Sequence, residues 1–447
     1  MANDVTSSVG IDAGRQPATE SATFSVSRAY SNYILGLLLI VGIFNFVDRQ
    51  ILAILLESIK QEFSFSDTQL GLLGGIAFAL FHVVAGIPIA WLADHYSRRN
   101  IIAIALGIWS AITALCGLTV GFWSLFLARV GVGIGEAGGG PPSQSLISDY
   151  YPPERRGTAL AVLGTMFPLG GLAGFLIGGW VTQFYGWRAA FMVVGVPGII
   201  LALIVWLTLR EPPRGHSEKR QVSGPAPSIL SSLKYFSGRT SFIHLCLAAA
   251  LFSMAAWGGT TWVPAFFIRV HGMSPAAVGT WLALVIGIAG VIGALLGGSI
   301  TDRVAEAKQD ARWYVWIPGV SLLVAVPFAF FTYLWPNPIP ALLVMFIPMV
   351  LANVFIGPTA AMIMGVAGVQ RRAMASALYV LLINLIGMGL GPLAVGIISD
   401  IFSADYGVNS LRYSILTLVL VANTWASIHF VLAGKNLRED LRAAEAE

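Results

Sequence analysis

Apolar runs of about 20 residues recur from one end of the chain to the other, broken by short charged or Pro/Gly-containing stretches. Each is long enough to cross a hydrocarbon core of about 30 Å. Lipid gives a backbone no hydrogen-bond partner, so such crossings must be helical. Reading from break to break predicts spans over 32–57, 68–93, 100–120, 123–150, 156–183 and 187–209. They continue over 241–270, 275–301, 313–334, 339–367, 373–400 and 411–433. The one long break, 210–240, carries six basic and two acidic residues with Pro212, Pro213, Pro225 and Pro227. The expected fold is therefore an all-α integral membrane protein of twelve transmembrane helices. Its expected parts are a disordered cytoplasmic arm (1–30), a six-helix half (31–209), a cytoplasmic linker (210–240), a second six-helix half (241–433) and a cytoplasmic tail (434–447). Within the linker, Ile229, Leu230, Leu233 and Phe236 fit one apolar face of a short surface helix; a solvated connection fits them equally.

Composition narrows the class. Hydrophobic residues make up 56% of the chain and charged residues 11%, against about 25% charged in soluble proteins, so a large water-soluble enzyme is excluded. The first 30 residues lack an apolar core and a small-residue cleavage site, so the first span is expected to direct membrane insertion. Cys116 and Cys246 lie inside apolar runs without paired spacing, as buried thiols do; no disulfide, metal or cofactor is expected. Of the 26 Lys and Arg residues, 20 fall in loops and tails on one side, four (Lys60, Arg188, Arg269, Arg412) on the other and two inside spans. That asymmetry places both termini in the cytoplasm of a plasma or bacterial inner membrane, and it accounts for the basic pI without nucleic acid.

Ser66, Gly71 and Asp94 recur as Ser274, Gly279 and Asp302 at a constant offset of 208 residues. Each Ser sits where it caps an even-numbered span and each Asp ends that span. Likewise Arg155-Arg156-Gly157 opens the fifth span and Arg371-Arg372-Ala373 the eleventh. Two related halves follow, the parallel repeat of transporters with a site between the halves.

After span 2 the chain reads Ala90-Trp91-Leu92-Ala93-Asp94-His95-Tyr96-Ser97-Arg98-Arg99. This resembles the G-x-x-x-D-R-x-G-R-R motif of the major facilitator superfamily, with Ala, His and Ser in place of Gly, Arg and Gly. Gly298-Ser299-Ile300-Thr301-Asp302-Arg303 is its second copy. The resemblance extends over nearly all of residues 30–435 and implies two halves related by a pseudo-two-fold axis. It also implies a cytoplasmic gate, for which Asp94, Arg98, Arg155 and Asp302 are the candidates. Asn45-Phe46-Val47-Asp48-Arg49 in span 1 and Arg129-Val130-Gly131-Val132-Gly133-Ile134-Gly135-Glu136 in span 4 resemble the Spinster branch, which implies sphingolipid- or lysophospholipid-type substrates.

Four ionisable residues inside the spans stand out: Asp48, Arg49, Arg129 and Glu136. Charges in lipid cost several kcal/mol unless they face a wet cavity or a partner. At ~1.5 Å rise per residue, Arg129 lies roughly 9 Å and Glu136 roughly 20 Å deep, with Asp48 between them in level. Asp48 is accordingly the expected partner of Arg129, and Gly133 is expected to leave room beside it. Two acids sharing one Arg suit proton coupling; a network that only pins span 1 to span 4 is the alternative. Arg49, about 100° round the helix from Asp48, is a candidate for substrate binding or for packing. Asn45, Trp257, Thr260, Tyr379 and Asn384 are further candidates for the cavity wall. His82 is either a titrating group or a satisfied interior residue.

These features point to a monomeric, proton-coupled secondary transporter working by alternating access in the bilayer. Its expected substrate is small and amphipathic, an anionic lipid or lysolipid by the resemblance; export of drugs or organic anions is the alternative. No H-E-x-x-H or G-x-S-x-G motif lies in the spans, which argues against an enzyme.

Overall fold

The computed structural model describes residues 27–213 and 228–445, so most of the expected N-terminal arm and the middle of the expected linker lie outside the described residues. Span 1 is Arg28–Phe63, span 2 Asp67–His95 with a break at Gly75, span 3 Arg98–Cys116, and span 4 Phe122–Glu136 followed by Gly140–Tyr150. Spans 5 and 6 are Pro153–Gly164 and Met166–Thr208, divided at Gly186. There φ is 82° and ψ 164°, a conformation a side chain strains and glycine does not. The second half follows as Thr240–Arg269, Pro275–Lys308, Trp313–Leu334, Pro338–Val366, then residues 368–406, and Ser410–Glu445. Nine segments are long and apolar enough to count as candidate crossings. Two of these hold two crossings each, and the interrupted span 4 makes twelve among the described residues.

The repeated serines do what their spacing suggests. Ser66 caps span 2 in a capping box with Gln69, and Ser274 caps span 8 by accepting from the Ala277 N–H. The repeated glycines mark where one half crosses the other. A Cβ on Gly71 would sit 2.6 Å from the carbonyl oxygen of Pro392 in span 11, and one on Gly279 would collide with the backbone of Phe175 in span 5. Small residues allow backbones to approach this closely where the bilayer supplies no hydrophobic drive. Gly170, Gly174 and Gly178 of span 5 pack in the same way along span 1.

With twelve crossings, the termini share one end of the bundle with the loops around residues 96, 151, 210, 310 and 367. Every hydrogen bond and ion pair joining the halves, among the described residues, lies at the opposite, far end. Arg269 of span 7 binds Asp67 through both terminal nitrogens (2.8 and 3.0 Å) and Glu57 through Nε (2.9 Å). Lys60 and Ser399 also bond Asp67, and Asp400 accepts from the backbone N–H groups of Asp67 and Thr68. Trp180 donates to Thr280, and Gln183 accepts from Ala276. The halves are clasped at the far end and part toward the termini.

Of the two expectations for the 229–236 segment, the helix is the one observed, over Ile229–Ser237. Its four apolar residues divide. Phe236 is buried and stacks on Phe242 at 4.3 Å, whereas Ile229, Leu230 and Leu233 are exposed.

Candidate site: a buried charge cluster in the N-terminal half

Span 4 stops being helical immediately after Glu136. The turn 137–139 is closed by the Gly138 and Gly139 N–H groups on Gly135 and Glu136 carbonyls. Pro141 and Pro142 then begin the next segment without N–H groups to satisfy. The three glycines before the break draw span 4 against its neighbours. Gly131 meets Ile112 and Gly135 meets Trp109 in span 3, while Gly133 meets the backbone of Phe78 in span 2. Gly133 therefore does not hold open space; span 2 fills it.

Asp48, Arg129 and Glu136 are each no more than 2% exposed. The expected Asp48–Arg129 pair does not form. Asp48 Oδ2 accepts from the Thr113 hydroxyl at 2.5 Å, and Glu136 Oε2 accepts from Arg49 Nε at 2.8 Å. Arg129 has no ion pair among the described residues, and its Nε and Nη1 have no hydrogen-bond partner. Depth along spans 1 and 4 alone set the expectation; span 3 supplies a hydroxyl for Asp48, and the guanidinium of Arg49 reaches across to span 4. Asp48 Oδ1 and Glu136 Oε1 are likewise unpartnered. Burying such groups without partners is costly, and four such atoms meet in this one cluster, which makes it the candidate site.

Phe78, which the sequence does not single out, lies at the middle of this cluster. Its ring centre is 5.0 Å from the Arg49 guanidinium carbon and 5.3 Å from that of Arg129. His82 stacks on the same ring at 5.2 Å, and its Nδ1 bonds the Gly133 carbonyl at 3.1 Å, a satisfied interior histidine. Asn45 is 9% exposed, and its side chain has no hydrogen-bond partner among the described residues. It lines a crevice with Trp109, Gly139, Ser143, Gln144 and Met166. Trp257, Thr260, Tyr379 and Asn384 are half-buried in the other half. Asn384 lies in a π-helical stretch, Ile383–Leu390, that apolar periodicity does not reveal.

The candidate gating residues are not brought together. Asp94 and Arg155 are exposed with no bonded partner among the described residues, and Asp302 accepts only from Tyr314. Arg98 is buried and bonds Asp149, Ser145, Glu211 and the Pro212 carbonyl, all on its own side of the molecule. No latch forms at Asp94 among the described residues, where no bond joins the halves at that end. Near it, Asp310 rather than Asp302 forms the ion pairs. Hydrogen bonds from Arg312 first, then from Arg438, outweigh burial and hold its carboxyl well below the usual range.

The sequence model described as Major Facilitator Superfamily matches residues 38–392. An MFS-type efflux pump of Mycolicibacterium smegmatis is 32% identical over 412 residues, covering 91% of this chain and 93% of its own. A sphingosine-1-phosphate transporter of Danio rerio is 27% identical over 394 residues, covering 84% of this chain and 77% of its own. A crystal structure of a bacterial homologue of the human lysosomal transporter Spinster, inward-facing and unoccupied, superposes with a TM-score of 0.84 at 30% identity. It covers 93% of this chain and 99% of that one. A multi-pass membrane chain with this fold, this buried charge cluster and these relatives belongs to the Major Facilitator Superfamily, as a Spinster-like transporter rather than an enzyme.

Proposed function

We propose that the protein is a proton-coupled carrier of an anionic amphipathic lipid, of the lysolipid or sphingoid-phosphate class, working by alternating access. The observation that carries this is Arg129: a nearly fully buried guanidinium whose Nε and Nη1 lack partners. An acidic headgroup supplies what those N–H groups lack, and a planar fork binds it in two places. Asp48 and Glu136 are the proton carriers. Each has one oxygen bonded and one free, the free oxygen being where a proton resides. In the observed state Glu136 holds Arg49; its protonation releases Arg49, and the halves then exchange their clasped ends. Asn45 stands beside the cluster, and Trp257, Thr260, Tyr379 and Asn384 face the substrate from the second half. Asp94, Arg98, Arg155 and Asp302 gate the termini end, which is cytoplasmic by the distribution of Lys and Arg, in a plasma or bacterial inner membrane. The protein acts as a monomer.

The likeness to a sphingosine-1-phosphate transporter favours the lipid class. The likeness to an efflux pump supports the second reading, export of drugs or organic anions through the same cluster. Tracer uptake by proteoliposomes under an imposed pH gradient decides, with lysolipids, sphingoid phosphates and lipophilic drugs compared against empty vesicles. Gradient-driven movement of the anionic lipids alone is the expected result. Movement of drugs alone supports the second reading, and uptake indifferent to the gradient removes proton coupling.

A further inference from the structure

Phe78 stands between the charge cluster and the contact of the two halves. It begins the first full turn after the break at Gly75, its backbone N–H returning to the Gly75 carbonyl at 3.1 Å. Gly75 lies against the backbone of Gly389 in the other half, and a Cβ on Gly389 would stand 3.5 Å from the Ala79 methyl group. The residues either side of Phe78 in span 2 are thus part of the contact between the halves. Its side chain, about 100° round the helix from Ala79, is buried to 2% exposure against Arg49, Arg129 and His82. Its carbonyl backs onto Gly133 in span 4.

We propose that Phe78 is the positioning residue that holds Arg49 and Arg129 apart and ties their placement to the contact between the halves. The reasoning is electrostatic. Two guanidinium groups share one ring, and a ring face attracts each cation in a desolvated site. Held there, Arg129 is kept from the free oxygens of Asp48 and Glu136, the nearest acids that could neutralise it. Without the ring's attraction, Arg129 is free to swing to one of them, and the anion site closes by internal pairing. Because Gly75 and Ala79 pack on Gly389, a rotation of the halves about that contact is passed along span 2 to the ring and to the arginines it holds. The ring thereby links the state of the charge cluster to the state of the halves. This inference rests on the anion-binding role proposed above for Arg129.

The test replaces Phe78 by singly, doubly and triply fluorinated phenylalanine. These keep the ring's shape and withdraw the electron density that attracts cations, so the fold is preserved. Phe78→Leu and Phe78→Tyr complete the set. Binding of a radiolabelled lysophosphatidate and of sphingosine phosphate is measured on purified, reconstituted protein, with Arg129→Ala as reference. Affinity should fall stepwise with fluorination, to roughly tenfold weaker at three fluorines. Phe78→Leu should be weaker still, and Phe78→Tyr should remain near wild type. If the trifluorinated protein binds as the wild type does while Arg129→Ala does not bind, the ring does not position Arg129 and the inference fails alone. If Arg129→Ala binds normally, or the wild type binds neither probe, the anion-site function itself fails and takes the inference with it.

Discussion

Arg49 and Arg129 differ in one respect that matters: the first has a carboxylate and the second has none. Arg129→Lys keeps the charge but loses the planar fork and should weaken binding of an anionic substrate about tenfold or more. Arg129→Ala should abolish it while leaving a folded, monodisperse protein, as checked by equilibrium binding and size exclusion. The acids call for the opposite treatment. Glu136→Gln cannot hold Arg49 by charge, and Asp48→Asn removes the negative partner of Thr113. Both should imitate acid pH, biasing the halves as protonation does and flattening the pH response of inter-half distances read by spin labels. A full wild-type response in both mutants would move the coupling site elsewhere. The four charged residues were legible in the sequence because ionisable groups in apolar runs are rare. Their pairing was not, because it depends on Thr113 and Phe78, a polar and an aromatic residue of kinds common in such helices.

At the scale of helices, the repeat carried the clearest signal. Ser66 and Ser274 announced helix starts, and Gly71 and Gly279, one turn on, proved to be the crossing points between halves. The interruptions were unevenly visible. Span 4 breaks after Glu136, where Gly138-Gly139-Gly140-Pro141-Pro142 marks the sequence, whereas span 11 becomes π-helical at Ile383 within an apolar run, since local hydrogen-bond slippage leaves composition unchanged. Gly71→Ala tests the crossing. Its Cβ would lie 2.6 Å from the Pro392 oxygen and 2.9 Å from the Leu393 Cα, backbone atoms that cannot rotate aside. The far-end-clasped state should lose population severalfold, seen as a longer distance between labels on spans 2 and 11 at that end.

At the scale of the whole molecule, the two ends should respond to substitution with opposite sign. Asp67 bonds Arg269, Lys60 and Ser399. Asp67→Asn should cost the clasped state on the order of 2 kcal/mol and favour closure at the termini end. Asp94 has no bonded partner here, so Asp94→Asn should cost this state nothing while weakening the latched alternative. It should therefore enrich the conformation described. Spin-label distances across the termini end should shorten in the first mutant and lengthen in the second; shifts of the same sign would show that the two clusters do not oppose each other.

Among the described residues, the placement of every cross-half bond at one end turns the molecule into a lever. The close approach of Ala79 to Gly389, part-way along span 2, serves as the fulcrum. From there Asp67 lies ~18 Å away along the helix and His95 ~24 Å the other way. On those arms, parting the far end by ~3 Å, one water diameter, swings the termini end shut by ~4 Å. A displacement just large enough to hydrate Arg269 thus already carries the Asp94 loop toward the opposite half, so one gate need not open fully before the other begins to close.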